Sequence, residues 1–311
     1  MIRISKDHKY YKQGAKVEPA ARINTPETII FETNDCYDGD MVRGMNQHIS
    51  DIDFSRGNPT TGPVYIEGAE PGDVLEIYIR RVDMISPGLS FCGVNEGFLQ
   101  EDSKVEELRW YNFDENGVDF GNGLILPYRP MIGEIGVAPK NGSLRNVYPG
   151  DHGGNLDTSL IKAGATLFLP VFQPGAMLGC GDLHAAMGDG EAFYEGIECA
   201  GEVELDVVVR KDLKMDIPFV ISDGKFASIA TDKTIELALR KAMKKLIAFI
   251  CNYSHGLSET DVNYIVGFYG NLEISQVVDP EMTGRMSIEL DILKKLGIDP
   301  DKMLQTIKKR L

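Results

Sequence analysis

Two stretches of this 311-residue chain concentrate side chains able to move protons or hold a cation. One is Asp151-His-Gly-Gly-Asn-Leu-Asp157 and the other is Gly181-Asp-Leu-His-Ala-Ala-Met-Gly-Asp-Gly-Glu191. They place Asp151, Asp157, Asp182, Asp189, Glu191, His152 and His184 within 41 residues. Side chains two apart on a strand share a face, so Asp182 and His184 are expected to project together, as metal ligands or an acid/base pair do. Asp189 and Glu191 repeat that spacing in a Gly-rich bend. The paired Gly153-Gly154 lets backbone come close to another group beside His152, Asn155 and Asp157. A competing reading is a polar network that only ties loops together, in which each His packs or hydrogen-bonds. Turn formation accounts for Asn and Asp but does not ask for His or Glu, so the set as a whole favours a site. His8, His48 and His255 have no such neighbours and read as surface or structural residues.

The segments that must position these residues are short and apolar. Thr166–Phe172 and Ala176–Cys180 read as the buried strands of one hairpin turned at Pro174-Gly175. Alternating patterns over Glu27–Thr33, Val74–Ile79 and Glu204–Val209 read as further strands, separated by turn clusters such as Gly57-Asn-Pro and Glu70-Pro-Gly-Asp73. The expected fold is mainly β, a sandwich or jelly-roll-like pair of sheets over residues 1–210 that carries the site. Residues 211–311 read as a packed α+β subdomain, joined without a long linker. There, Asp223-Gly224 predicts a hairpin turn, because Gly accepts the positive φ of its second position. Thr231 and Asp232 are expected to cap a helix whose apolar face is Ile235, Leu239, Ala242, Leu246 and Ile250. Ser258 and Asp261 form a capping-box pattern that opens a second helix toward Gly270. Further helices are expected over Ile288–Leu296 and Asp301–Arg310. Trp110, the one tryptophan, is expected in the core.

Composition narrows the function classes. The formal net charge is −15 and 43% of the residues are hydrophobic, which suits an ordinary packed core. That charge disfavours nucleic acid and anionic membrane surfaces, since a phosphate backbone calls for clustered positive charge. No apolar run of membrane-spanning length or signal-peptide character is present, so the expected location is cytoplasmic. Five cysteines, with no CxxC pair, argue against a disulfide framework or a thiolate zinc site. Neither a GxGxxG nor a GxxxxGK[ST] loop occurs, which leaves nucleotide binding without support.

Several ordered blocks resemble one known family. They are Thr33–Asp38, Thr61–Asp73, Gly133–Pro139, His152–Asp157, Gly181–Glu191 and Ile274–Pro280, and they look like signature blocks of the acetamidase/formamidase family. The resemblance runs from about residue 28 to 287. It implies hydrolysis of small aliphatic amides to a carboxylic acid and ammonia, a small-molecule amide substrate, a homodimer or larger homo-oligomer, and bound metal in some members. Motif matching carries over Asp35, Glu67, His152, Asn155, Asp157, Asp182, His184, Asp189 and Glu191. Glu134 and Cys180 depart from the family pattern and receive no role by analogy.

The mechanism expected from these residues is metal-assisted attack of water on the amide carbonyl. Asp35, Asp157, Asp182 and His184 are the expected metal ligands, with zinc the first candidate and calcium the alternative in a site so rich in oxygen. Glu191 or Asp189 would act as general base, with His152, Asn155 and Glu67 completing the catalytic set and the Gly153-Gly154 amides receiving the oxyanion. Two other readings stay open: Cys180 as a thiol nucleophile, and a non-catalytic calcium-binding β-sandwich that presents a ligand surface.

Overall fold

The computed structural model describes residues 1–45, 52–93, 97–99, 102 and 107–304. His48 and residues 305–310 of the expected C-terminal helix lie outside them. The chain is mainly β, with a nine-stranded and an eleven-stranded sheet. Glu27–Thr33 forms a strand over the expected bounds. Val74–Ile79 and Glu204–Val209 are the middles of longer strands, Val74–Met84 and Gly201–Arg210, paired antiparallel with each other.

Alternation along these strands decides the layering. Leu75, Ile77, Ile79, Leu167, Leu169, Leu205 and Val207 of the nine-stranded sheet meet Val64, Ile132, Ile135, Leu178 and Leu183 of the eleven-stranded sheet in one core. The intervening residues Val74, Phe168, Phe219 and Phe226 face the other way, against Ala242, Leu246, Phe249 and Ile250 of the helix Ile235–Tyr253. Helices therefore cover the outer face of the nine-stranded sheet. Each side chain buried this completely contributes roughly 1.5–3 kcal/mol.

One expected hairpin is not formed. Thr166–Pro170 pairs with Val74–Met84 and Phe219–Ser222 in the nine-stranded sheet, whereas Leu178–His184 pairs with Met131–Gly136, Thr60–Ile66 and Glu198–Cys199 in the eleven-stranded sheet. The turn at Pro174-Gly175 is an arch between the sheets. Ala176 and Met177 take left-handed φ values of 56° and 66° where the chain crosses over. Both strands are buried along their whole length, so periodicity alone cannot assign their partners.

The later part of the chain follows its local signals more closely. Phe219–Ser222 and Lys225–Asp232 form the hairpin around Asp223-Gly224, both at positive φ. Thr234 caps the helix Ile235–Tyr253 by accepting from the Leu237 N–H at 3.3 Å; Thr231 and Asp232 belong to the preceding strand. Ser258 and Asp261 make the capping box of Glu259–Tyr269. Ile288 lies in the strand Met282–Glu289, and the helix expected there is Leu290–Lys295. A short helix, Pro300–Met303, follows. The strand Gly270–Gln276 and its partner Met282–Glu289 form an edge hairpin unforeseen from the pattern. A single sheet runs across residues 210 and 211, since Thr166–Pro170 and Phe219–Ser222 are neighbours in it. Trp110 is half-buried against Cys36, Tyr37, Met41, Ile52 and Leu89. No described helix is long and apolar enough to cross a membrane, and none of the cysteines forms a disulfide.

Candidate active site

Adjacent strands of the eleven-stranded sheet bring the polar residues together. Leu178–His184 lies between Met131–Gly136 and Glu198–Cys199, and its register sets His184 directly opposite Glu198. Regular alternation breaks at Asp182, whose φ is 53°. Cys180 and Leu183, three apart, both reach the core. Asp182 instead lines a cavity of about 440 Å³ together with Asn155, Glu191, Glu195, Glu198 and Asp279.

His184 sits at the centre of the cluster. Its Nε2 is 3.1 Å from Glu198 Oε1 and 3.6 Å from Asp182 Oδ2, and its Nδ1 is 3.9 Å from Asp157 Oδ1. Glu191 closes the group on the Asp157 side, with ligand atoms of Asp157, His184 and Glu191 within 4.8 Å of one another; the same holds for Asp182, His184 and Glu198. Asp157, Asp182 and Glu191 adopt φ values of 39°, 53° and 45°. L-residues rarely accept that conformation, and its concentration at three converging carboxyl groups marks a site where function sets the backbone.

Room for the convergence comes from Gly133, across the sheet from Asp182. A Cβ there would stand 2.5 Å from Asp157 Oδ1 and 2.7 Å from Asp182 Oδ2. Gly133→Ala must push these carboxylates apart, and we expect about a 10²-fold loss of kcat/KM in a folded protein, the scale of a misplacement near 1 Å. Steady-state kinetics on the purified variant would test this, and unchanged turnover would contradict it.

Asn155 connects the cluster to the edge hairpin. Its Nδ2 donates to Asp279 Oδ2 at 3.0 Å and its Oδ1 accepts from Asn58 Nδ2 at 3.1 Å. Gln276 holds the Asp279 turn, accepting the Val278 and Asp279 N–H groups at 2.9 and 3.0 Å. The Glu191 loop docks on the same hairpin, through Gly190 N–H to Ser275 O at 2.8 Å and Val277 N–H to Gly190 O at 3.1 Å.

Crowding of buried carboxyls disfavours their charged forms. Burial, and then the neighbouring Asp182, push Asp279 up to about 8. Burial also raises Glu198, to about 7, although His184 beside it pulls the other way. Asp157 and Glu191 stand well above the ordinary carboxylate range, chiefly through burial. Burial works against a charged His184, but Glu198 and Asp182 outweigh it and hold the imidazole well above its usual value. These groups bind protons in the folded state that the unfolded chain has already released. Their contribution to stability without a cation should therefore be greatest at low pH and decline from about pH 4 toward 8. In a chelating buffer, calorimetry should show a Tm lower by several degrees at pH 8 than at pH 5, with the difference shrinking when a divalent cation is added. A flat or rising Tm over that window would refute this electrostatic picture.

The residues present suit a divalent cation. Among the described residues, Asp157 Oδ1 and Oδ2, Asp182 Oδ1 and His184 Nδ1 are buried without a hydrogen-bond partner. Such atoms are costly unless something positive satisfies them. One imidazole nitrogen can bind the ion while a carboxylate orients the other edge of the ring.

Other residues anticipated for the site are placed elsewhere. Asp35 accepts the Tyr37 and Gly39 N–H groups, both at 3.0 Å, and so shapes the turn that presents Cys36 and Tyr37 to the cavity. Glu67 is exposed and pairs with Arg22 at 3.4 Å. Asp189 pairs with Arg285 and accepts from Ser159 at 2.6 Å. His152 is buried, packs near Gly150 and Gly154, and lines a different cavity; burial draws it down to about 4, so it is neutral. Gly153-Gly154 belongs to a sheet strand, and the Gly153 N–H donates to Gly150 O at 3.1 Å, so this pair forms no oxyanion hole. Cys180 is fully buried in the inter-sheet core, which raises its thiol far above the ordinary range and removes it as a nucleophile.

Glu195, Glu198, Asp279, Asn58 and Cys36 were missed. The two glutamates lie just beyond Glu191, in Glu195-Gly-Ile-Glu198; the same reasoning about Glu in turns could have found Glu195, whereas Glu198 opens a strand and is aligned by register. Asp279-Pro280 reads as an ordinary turn, and only its docking against Asn155 reveals its place.

Comparison with known proteins agrees with this architecture. The sequence profile of the Acetamidase/Formamidase family matches residues 5–142 and 137–295. A formamidase from Methylophilus methylotrophus is 42% identical, with 68% of each chain covered. The chain spans about 64–68% of the length of the curated relatives it matches. The crystal structure of an acetamidase from Bacillus halodurans superposes with a TM-score of 0.92 at 39% identity, covering 95% of this chain and 99% of that one. That of a predicted acetamidase/formamidase from Thermoanaerobacter tengcongensis gives 0.92 at 37% identity, covering 96% and 98%. With its fold matched along nearly the whole length and the family profile spanning both ends of the site, this chain belongs to the acetamidase/formamidase family.

Proposed function

We propose that this chain hydrolyses small aliphatic amides to a carboxylic acid and ammonia, with a divalent metal ion assisting attack of water on the carbonyl. The observation that carries the reading is the convergence of His184, Asp157, Asp182 and Glu191 beside a cavity of about 440 Å³. Family membership and the acetamidase and formamidase relatives support it. His184, Asp182 and Asp157 would hold the ion, zinc being the first candidate for mixed nitrogen and carboxylate ligands and calcium the second. When bound there, such an ion polarises the amide carbonyl and makes water a nucleophile near neutral pH.

The chain's own residues then manage protons and orientation. Glu191, made more basic by burial, takes a proton from the attacking water and delivers it to the nitrogen, which must leave as ammonia. Asn155, held between Asn58 and Asp279, is placed to orient the substrate amide. A non-catalytic calcium module has no need of an imidazole at the centre of its ligands, so His184 favours the enzyme. The assembly is read as a homodimer or larger, for which exposed Phe120, Leu124 and Ile125 offer apolar surface, and its location as cytoplasmic.

The test is ammonia release from formamide, acetamide and longer amides by folded, metal-supplemented protein. Turnover of at least one short amide is expected; none from any of them would overturn the proposal.

A further inference from the structure

We infer that the favoured substrate is an amide whose acyl chain ends in a carboxylate, recognised by Arg145 at the open end of the cavity. The inference rests on the hydrolytic reading of the His184 cluster and names a substrate class for that same site, the monoamides of short dicarboxylic acids.

The cavity is larger than formamide or acetamide requires. At about 440 Å³ it falls within the range of roughly 300–1,000 Å³ that pockets for much bigger ligands occupy. Asp182, Glu191 and Glu198 are buried and form its inner end, whereas the exposed Phe54 and Arg145 form its rim. Ile52, Val147, Val278 and Pro280 add apolar wall, which suits a methylene chain lying between two polar ends.

Among the described residues that line the cavity, Arg145 is the one cation. Its Nη2 donates to the Phe54 carbonyl oxygen, and no carboxylate among the described residues pairs with it. Most of the other arginines do have acidic partners, Arg3, Arg56, Arg80, Arg210 and Arg285 among them. In a chain of net charge −15 such partners are abundant, yet this guanidinium stays open to an external anion. Its planar fork of N–H donors matches the two oxygens of a carboxylate.

The strand that carries Arg145 adds a second observation. Arg145 ends Ser143–Arg145, and the antiparallel register sets Lys12 directly opposite it. Like charges so placed repel, and the exposed Lys12 also has no acidic partner among the described residues. A carboxylate bound at Arg145 offsets that repulsion. The same strand is tied to the amide end of the cavity. Asn146, buried next to Arg145, donates from Nδ2 to Tyr10 O at 2.6 Å and to Asn58 O at 2.9 Å. Asn58 in turn donates to Asn155 at 3.1 Å, so hydrogen bonds fix the spacing between the two recognition groups.

The reaction itself is unchanged for this class. Water adds to the amide carbonyl, the C–N bond breaks as the nitrogen takes a proton, and a dicarboxylic acid and ammonia leave.

The test is kcat/KM of metal-supplemented, full-length protein for malonamate, succinamate, glutaramate and adipamate, each against the neutral diamide of the same length. At least one monoamide should exceed its diamide by about tenfold at low ionic strength, and the ratio should fall as salt is added. Arg145→Gln should bring the ratio close to unity. Arg109→Gln removes the same charge from a strand outside the cavity lining and should preserve it. Circular dichroism establishes that both variants are folded. Hydrolysis of neutral amides without preference for any monoamide, or a preference that survives Arg145→Gln, would overturn carboxylate recognition and leave the proposed activity standing. No turnover of any amide would end both.

Discussion

Replacing His184 with Ala should lower kcat/KM for the best short amide by at least about 10³-fold, because several kcal/mol of carbonyl polarisation would disappear with the ion it is proposed to help hold. The imidazole is the one nitrogen donor in a group otherwise made of carboxylates, approached on its two edges by Asp157 and by Asp182 with Glu198. Removing it also leaves these buried carboxyls facing one another, so the variant should be less stable as well as less active. Circular dichroism must therefore confirm folding before kinetics are compared. Added imidazole provides a control, since partial recovery shows that a missing donor, and not a collapsed cavity, causes the loss. A folded His184→Ala protein with undiminished turnover would remove the imidazole from the mechanism.

Glu191→Gln should cut kcat by roughly 10²–10⁴-fold while changing bound metal much less. Gln preserves the size of the side chain at a left-handed position, φ 45°, but cannot accept the proton that attacking water must lose. Glu191 also lies within ligand distance of Asp157 and His184, so metal content distinguishes its roles. Low turnover with metal retained identifies a base. Low turnover with metal lost would make Glu191 a ligand and pass proton transfer to another carboxyl of the cavity, such as Asp279, which accepts from Asn155 at 3.0 Å.

Local sequence signals were legible wherever the determining interactions are local. The alternation of Glu27–Thr33, the Asp223-Gly224 turn and the Ser258–Asp261 capping box each depend on a few successive residues, and each appears where the pattern places it. The Pro174-Gly175 arch did not declare itself, because strands buried on both faces carry no periodic mark of their partners. The cap of the long helix moved from Thr231 and Asp232 to Thr234 because sheet pairing with Met282–Glu289 keeps those two residues extended.

The site was legible in the same uneven way. His184, Asp182, Asp157, Glu191 and Asn155 come from the two polar stretches and do meet. Residue type alone does not say which way a side chain faces, however, and Glu67, Asp189 and Asp35 are held by Arg22, Arg285 and backbone amides respectively. Asp279 arrives from a hairpin more than 90 residues beyond His184 in the chain, and Glu198 is aligned by strand register. Neither relation is written in local spacing.

The central claim is that the carboxylates around His184 hold a divalent ion required for amide hydrolysis. Ammonia release measured before chelation, after exhaustive chelation and after restoring zinc or calcium addresses it directly. Loss of turnover on chelation and its return with one of these ions is the predicted result. Full turnover by protein shown to be metal-free would contradict it.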